Sequence, residues 1–413
     1  MPQRLVIGLS QSHTLSSVPQ TLAALRDTTK RAADKGISIL LFPEAYLGGY
    51  PRTCSFGAAV GSRTDLGRDQ YLAYTKSAVD LGDTPSGAGD AWLENKLPVN
   101  QETGRRGDGT REALEEIARE TGVFVVTGVV EKAGGSLYCS AVYVDPRRGV
   151  VGKRRKVMPT GSERLVWAQG SASTLKAVVA TIKGVRVVMG CAICWENYMP
   201  LLRHSIYSQG VNLWLAPTAD ARDTWEPLVR TIASEGRCFV LTANQCIRKK
   251  NLPSWVTGST TTTRDDAGGV RVHETLANGI PVGTFKGGLR RLSMTRTEEN
   301  HEIAWKCDNE TIDETNPLEN GVAATTTTQK QNSPQQEGGD GDEFVSTGGS
   351  CIVSPMGQTI AGPVWERESE LLYAEVDFED CDRGHLDFDA AGHYSRPDAF
   401  KLTVEGLDLT PPP

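Results

Sequence analysis

Short apolar runs of strand length alternate along this chain with segments of helical spacing, and that alternation restricts the fold more than any other feature. Residues 5–9 are a strand-like apolar run. Over 18–35, Val18, Leu22 and Leu25 recur at helical spacing, and Gly36 stops the pattern. Residues 37–42 are apolar except for Ser38, which predicts a second buried strand and a strand–helix–strand opening. Further on, Thr110 is read as the N-cap of a helix carrying Leu114, Ile117 and Ala118 on one face, with Gly122 after its last turn. Strands are expected at 123–130, 138–144 and 150–157. A hairpin is expected at 178–182 and 185–189, turning at Lys183-Gly184. A helix is expected after Pro200, a strand at 211–216, a helix at 225–235 closed by Gly236, and strands at 238–243, 350–354, 358–361 and 371–376. Interleaved helices and strands, some strand pairs antiparallel, predict a layered α/β protein with mixed β-sheets. No Gly-x-Gly-x-x-Gly follows the first strand, so a dinucleotide fold is not indicated.

Two stretches depart from this rhythm. Residues 52–108 are rich in Gly, Ser and Asp with weak periodicity, and are read as an excursion from the core. Residues 297–343 include Thr325-Thr326-Thr327-Thr328 and Gly338-Gly339-Asp340-Gly341-Asp342, a composition too polar to offset the entropy of ordering. They are expected to form a mobile insertion within one domain spanning 1–400, followed by a tail at 401–413. Asp340 and Asp342 lack the remaining ligand spacing of a calcium loop and are read as a solvated acidic tract. The insertion also accounts for part of the low apolar content of 38%.

The formal net charge of −7 gives no broad basic surface for nucleic acid, and Arg248-Lys249-Lys250 is too short to supply one. Nine cysteines, an odd number without a framework spacing, are expected as reduced thiols. No apolar run approaches the ~20 residues of a membrane span. Residues 1–7 enter a strand pattern at once, without the apolar region of a signal peptide. The expectation is a cytoplasmic protein that touches no membrane.

Cys194 follows the apolar run 185–189 and a glycine. A nucleophile on a sharp turn at a strand end faces a pocket, and neighbouring backbone N–H groups can meet a developing anion. A buried structural cysteine is the plain alternative. A thiol also needs a base or cation nearby, because the thiolate is the attacking form. Cys191-Ala192-Ile193-Cys194 has the spacing of a redox dithiol or half a zinc site, but no second pair accompanies it. Glu44 ends the strand at 37–42, where a carboxylate faces a pocket or pairs with a cation. Lys156 closes four consecutive cations, Lys153-Arg154-Arg155-Lys156. Such a run is ordinarily a solvated turn. Strand alternation would instead send Arg154 and Lys156 to one face and the other two outward. The six histidines accompany no Gly-x-Ser-x-Gly elbow and no His-Glu-x-x-His.

Together these segments resemble a known family. Leu41-Phe42-Pro43-Glu44-Ala45, then Arg155-Lys156-Val157-Met158-Pro159-Thr160-Gly161-Ser162-Glu163-Arg164, then Gly190-Cys191-Ala192-Ile193-Cys194-Trp195-Glu196-Asn197 resemble, in order, the signature stretches of the nitrilase branch of the nitrilase superfamily. The resemblance covers most of 4–400 outside the two departures. It implies a four-layer αββα sandwich, with dimers that extend into larger homo-oligomers or filaments. It implies Cys194 as nucleophile, Glu44 as general base, Lys156 as the cation stabilising the anionic intermediate, and Glu163 as a second glutamate positioning the site. The backbone N–H of Trp195 would be a further oxyanion donor. Trp195 after the nucleophile resembles nitrilases more than amidases or carbamoylases. The implied reaction takes an organic nitrile and water to a carboxylic acid and ammonia through a covalent thioimidate, with no metal and no cofactor. A cyanide hydratase-like enzyme that stops at the amide, or an amidase or carbamoylase, is the alternative reading. Cys191 and the two departures lie outside the family pattern.

Overall fold

The computed structural model describes residues 3–257 and 341–413, with four short strands at 262–264, 270–272, 292–296 and 302–306. The chain divides into two compact units, Met1–Ile280 with Gly338–Pro413, and Pro281–Glu337. In the second unit Leu292–Arg296 pairs antiparallel with Glu302–Lys306. The rest of the expected insertion at 297–343, apart from residues 341–343, lies outside the described residues.

The first half of the chain supplies strands β1 (Arg4–Gln11), β2 (Ile39–Leu41), β3 (Phe124–Ala133), β4 (Ser136–Asp145) and β5 (Gly149–Arg155). The remainder supplies β6 (Val178–Ile182), β7 (Val185–Cys191), β8 (Leu213–Thr218), β9 (Phe239–Asn244), β10 (Cys246–Arg248), β11 (Phe344–Val353), β12 (Thr359–Trp365) and β13 (Glu370–Asp377). One sheet runs β13-β1-β2-β3-β4-β5 and the other β10-β11-β9-β8-β7-β6, with β12 beside β11. Both are mixed. The pairs β1–β2–β3 and β7–β8–β9 are parallel, and antiparallel pairs flank them.

Alternate residues on these strands enter different apolar layers, as the two-residue period requires. Ile39 and Leu41 of β2 join Val187 and Met189 of β7, Leu213 and Leu215 of β8, and Phe239 and Leu241 of β9 in one core between the sheets. Leu40 and Phe42 point the other way, onto Leu25 and Ala32 of helix α1 (Val18–Asp34). The helix over 110–121 lies on the same outer face through Leu114, Ile117 and Ala118. Across the molecule Val188, Trp214 and Val240 pack against Leu202 and Ile206 of the helix Pro200–Tyr207, and against Val229 and Ile232 of Trp225–Gly236. Helix, sheet, sheet, helix is the αββα sandwich expected. Because both faces of the central strands are covered, they read in sequence as mostly apolar runs rather than alternations.

Two local expectations are corrected. Thr110 is the first helical residue and not the cap. Gly109 (φ 97°) stands at the cap, and Asp108 Oδ1 accepts the Thr110 N–H at 2.9 Å. Gly236 is still helical, and the left-handed residue after it is Arg237 (φ 45°). The stretch 52–108, which showed weak periodicity, contains the helix α2 (Asp65–Ser77), capped by Thr64. Its Leu66 and Leu72 are exposed, so its apolar spacing misleads. The anchor is Tyr74, fully buried, which donates to Gly49 O at 3.1 Å and accepts the Trp167 indole N–H at 2.9 Å.

Candidate active site

The four cations at 153–156 are not a solvated turn. Strand alternation holds, but both faces are buried. Lys153 and Arg155 face a carboxylate pair: Lys153 Nζ reaches Asp83 at 2.7 Å and also bonds Glu131, and Arg155 reaches Glu131 at 2.7 Å. Arg154 turns to the opposite face and meets both oxygens of Glu196 at 2.6 Å. Lys156, just past the end of β5, is fully buried between two further carboxylates, with Nζ 2.8 Å from Glu44 Oε1 and 2.7 Å from Glu163 Oε2. A buried ammonium persists only with such partners. Burial alone would lower its pKa, but the carboxylates of Glu44 and Glu163 outweigh burial and keep it charged.

Glu44 follows β2 and is fully buried. Its Oε1 also accepts the Cys139 thiol at 3.5 Å, and its backbone carbonyl accepts Gln245 Nε2 at 2.8 Å. Its Oε2 is buried without a hydrogen-bond partner among the described residues. Burial raises the Glu44 carboxyl, Lys156 lowers it, Glu163 raises it again, and it settles at about 7. Glu163 is fixed more firmly. Its Oε2 accepts the Thr160 N–H at 2.7 Å in a capping box, and its Oε1 accepts the Tyr50 hydroxyl at 2.9 Å.

Cys194 opens a one-turn 3₁₀ segment, Cys194–Tyr198, directly after β7. Its φ of 51° lies in the left-handed region, a strained conformation for a residue with a side chain. The turn is locked by its own polar side chains. Glu196 Oε2 accepts the Ile193 N–H at 2.8 Å, and Glu196 Oε1 the Val157 N–H at 2.7 Å. Asn197 Nδ2 donates to the carbonyls of Ala192 and Cys194, both at 2.7 Å. The Arg154–Glu196 pair therefore ties the strand that carries Lys156 to the turn that carries Cys194. An oxygen of Glu44, an oxygen of Glu163 and the Cys194 sulfur lie within 4.8 Å of one another. Burial raises the thiol pKa, and Glu44 raises it further against the pull of Lys156, so the resting sulfur is protonated.

Glu44, Lys156, Glu163 and Cys194 thus meet in one buried cluster. Trp195 lies beside them, with its indole N–H donating to Asp220 Oδ2 at 2.8 Å and the Arg222 guanidinium 4.3 Å from its ring. Cys191 points away. It is buried with Tyr143 and Arg154 beside it, and it is a free thiol. Sequence reasoning gave no role to Thr218, which donates its hydroxyl to Cys194 Sγ at 3.2 Å, or to Tyr50. Thr218 carries the signal that marked Glu44, a polar residue closing an apolar strand. Tyr50 carries none that separates it from a packing tyrosine.

A buried thiol, an unengaged carboxylate oxygen and a fixed ammonium are the parts of covalent acyl-transfer chemistry. Residues 6–267 match the carbon-nitrogen hydrolase family model. The chain is 35% identical to a nitrilase of Bradyrhizobium diazoefficiens over 91% of its own length and 84% of that protein. It is 34% identical to an arylacetonitrilase of Trametes versicolor, over 94% and 92%. The crystal structure of a carbon-nitrogen hydrolase from Helicobacter pylori G27 shares the fold, with a TM-score of 0.53 at 14% identity over 97% of this chain and 99% of that one. With its sandwich fold and these relatives, the chain belongs to the carbon-nitrogen hydrolase family and, within it, to the nitrilase branch.

Proposed function

We propose that this enzyme hydrolyses an organic nitrile to the carboxylic acid and ammonia, with Cys194 as nucleophile, Glu44 as general base and Lys156 as the anion-stabilising cation. The observation that carries the reading is the placement of Lys156 Nζ between Glu44 and Glu163, beside the Cys194 thiol on its strained turn. Relatives at 33–35% identity that bear nitrilase names support the substrate class.

The resting thiol is protonated and Glu44 is poised near neutrality, so proton transfer accompanies attack. Glu44 takes the thiol proton as sulfur adds to the nitrile carbon, and passes it to the nitrogen to give a thioimidate. A water adds, with its proton handled by Glu44, and forms a tetrahedral carbon bearing sulfur, oxygen and nitrogen. The carbon–nitrogen bond breaks, ammonia leaves with a proton from Glu44, and an acylated Cys194 remains. A second water attacks, the carbon–sulfur bond breaks, and the acid departs. A carboxyl near neutral pKa can give and take a proton in the same cycle. Lys156 stabilises the anionic oxygen. The backbone N–H of Trp195 is the second donor, since the first N–H groups of a helical turn have no partner within it. Glu163, held by Tyr50 and Thr160, positions Lys156. All of this is carried by protein side chains, water and the nitrile, with neither metal nor cofactor in any step.

No helix among the described residues is long and apolar enough to cross a membrane. A cytoplasmic location is part of the same proposal, as is a homodimer or larger homo-oligomer, the assembly supported by exposed apolar side chains such as Leu201 and Leu386. Light scattering on the purified chain checks the assembly. The activity is tested with a panel of aliphatic, aromatic and arylacetonitriles, products identified by mass spectrometry. Ammonia with carboxylic acid, lost on Cys194→Ala in a folded protein, is the expected result. Amide without ammonia would replace the reading by a hydratase. An inert wild-type enzyme, or an active Cys194→Ala variant, would overturn it.

A further inference from the structure

Thr218 is the last residue of β8, which lies parallel to β7, the strand that delivers Cys194. It is fully buried. A hydroxyl has one proton to give and lone pairs to accept. Here one lone pair is engaged: the Asp220 N–H donates to Thr218 Oγ1 at 3.0 Å. The single proton is directed at Cys194 Sγ, 3.2 Å away. Threonine is stiff about its first side-chain torsion, so the donor is pre-aimed. The loop that follows is clamped as well. Asn244 Nδ2 donates to the Asp220 carbonyl at 2.6 Å, and Asp220 holds the Trp195 indole.

We propose that the Thr218 hydroxyl is a fixed hydrogen-bond donor to the nucleophilic sulfur, and that it stabilises that sulfur whenever it carries negative charge. The inference rests on Cys194 being the nucleophile of the proposed nitrile hydrolysis. Sulfur is anionic at two kinds of step. It is anionic as the thiol proton leaves for Glu44 and attack begins. It is anionic again whenever the carbon–sulfur bond breaks and the bonding pair returns to sulfur. The second kind includes release of the acid from the acylated enzyme. It also includes a side branch at the first tetrahedral carbon, where expulsion of sulfur instead of ammonia releases the amide. The Thr218 donor therefore speeds nucleophile formation and acid release, and it biases the tetrahedral carbon toward the amide branch.

The test compares Thr218→Val, which keeps the shape and removes the donor, with Thr218→Ser, which keeps the donor. Hydrogen bonds to charged groups are strong enough that losing one slows a reaction by roughly tenfold or more. In Thr218→Val, iodoacetamide alkylation at the Cys194 peptide, read by mass spectrometry near neutral pH, slows by about that factor. Turnover of the best nitrile slows, acylated Cys194 accumulates in the intact mass, and the amide share of the product falls. Thr218→Ser regains alkylation rate, turnover and amide share together. A Thr218→Val enzyme with wild-type alkylation and product ratio would overturn the proposal, as would a Thr218→Ser enzyme as impaired as the valine variant. If the valine variant does not fold, Thr218→Ala set against Thr218→Ser asks the same question. Alkylation needs no nitrile. A wild-type enzyme inert to nitriles would therefore sink the substrate reading, while the alkylation comparison still decides the role of Thr218.

Discussion

At Glu44, the push of burial is only partly offset by Lys156, and the carboxyl stands at about 7 instead of in the ordinary carboxylate range. A general base works only when deprotonated. We therefore expect kcat/KM to fall on the acid side with an apparent midpoint near pH 7, the sign fixed by the raised value. A rate that stayed level well below neutrality would show that another group accepts the proton. Glu44→Gln removes the proposed base and is expected to cut kcat by at least about a hundredfold, with the fold intact by circular dichroism. Of the residues gathered at this site, Glu44, Lys156, Glu163, Cys194 and Trp195 were visible in the sequence because each sits in a short, ordered signature. Thr218 and Tyr50 were not. Their roles come from which neighbour their hydroxyl meets, and a hydroxyl's partner is set by tertiary packing.

Strand β5 shows how much can be hidden in an element that reads as plain surface. Four adjacent cations looked like a solvated turn, yet Asp83, Glu131, Glu196 and Glu44 arrive from other segments to pair with them, and Glu163 from the turn that follows. Period-two alternation identified which cations share a face, but not that both faces are covered. Burial pushes the Glu131 carboxyl up, and Lys153 and Arg155 more than offset it, leaving it below its ordinary value. Asp83 is shifted in the same direction, with Lys153 outweighing burial. Carboxyls lowered in the folded state add stability that is fully present above the ordinary carboxylate range. That stability is lost as pH falls through the lowered values. Glu131→Gln, which strips a buried pair of one partner, is expected to cost about 3–5 kcal/mol near neutral pH. It should also flatten the loss of stability on acidification. Urea melts at neutral and acid pH measure both, and an unchanged melt would mean that the pairs add nothing.

Over the whole molecule, the core between the sheets is shared by strands from both halves of the chain, so neither sheet can lose its packing alone. Phe239 on β9 lies almost wholly inside, its ring edge-on to Phe378 at 5.5 Å beyond the end of β13. Phe239→Ala is expected to cost about 3–5 kcal/mol, and to lower the midpoints of tryptophan fluorescence and far-ultraviolet circular dichroism equally. Separate midpoints would show that the two sheets melt independently. The layered architecture was legible because runs such as 37–42 and 238–243 are apolar but for Ser38 and Thr242, the mark of strands covered on both faces. Helix α2 was not legible, because its apolar side chains face outward and a tyrosine anchors it. The cross-wired cations of β5 also limit how this lineage can diverge. Loss of Glu196 would strand Arg154, and loss of Glu131 would leave two cations short of a partner. Neutral drift along this strand must proceed by paired exchanges, so the descendants of this sequence should differ at 154 and 196 together or at neither.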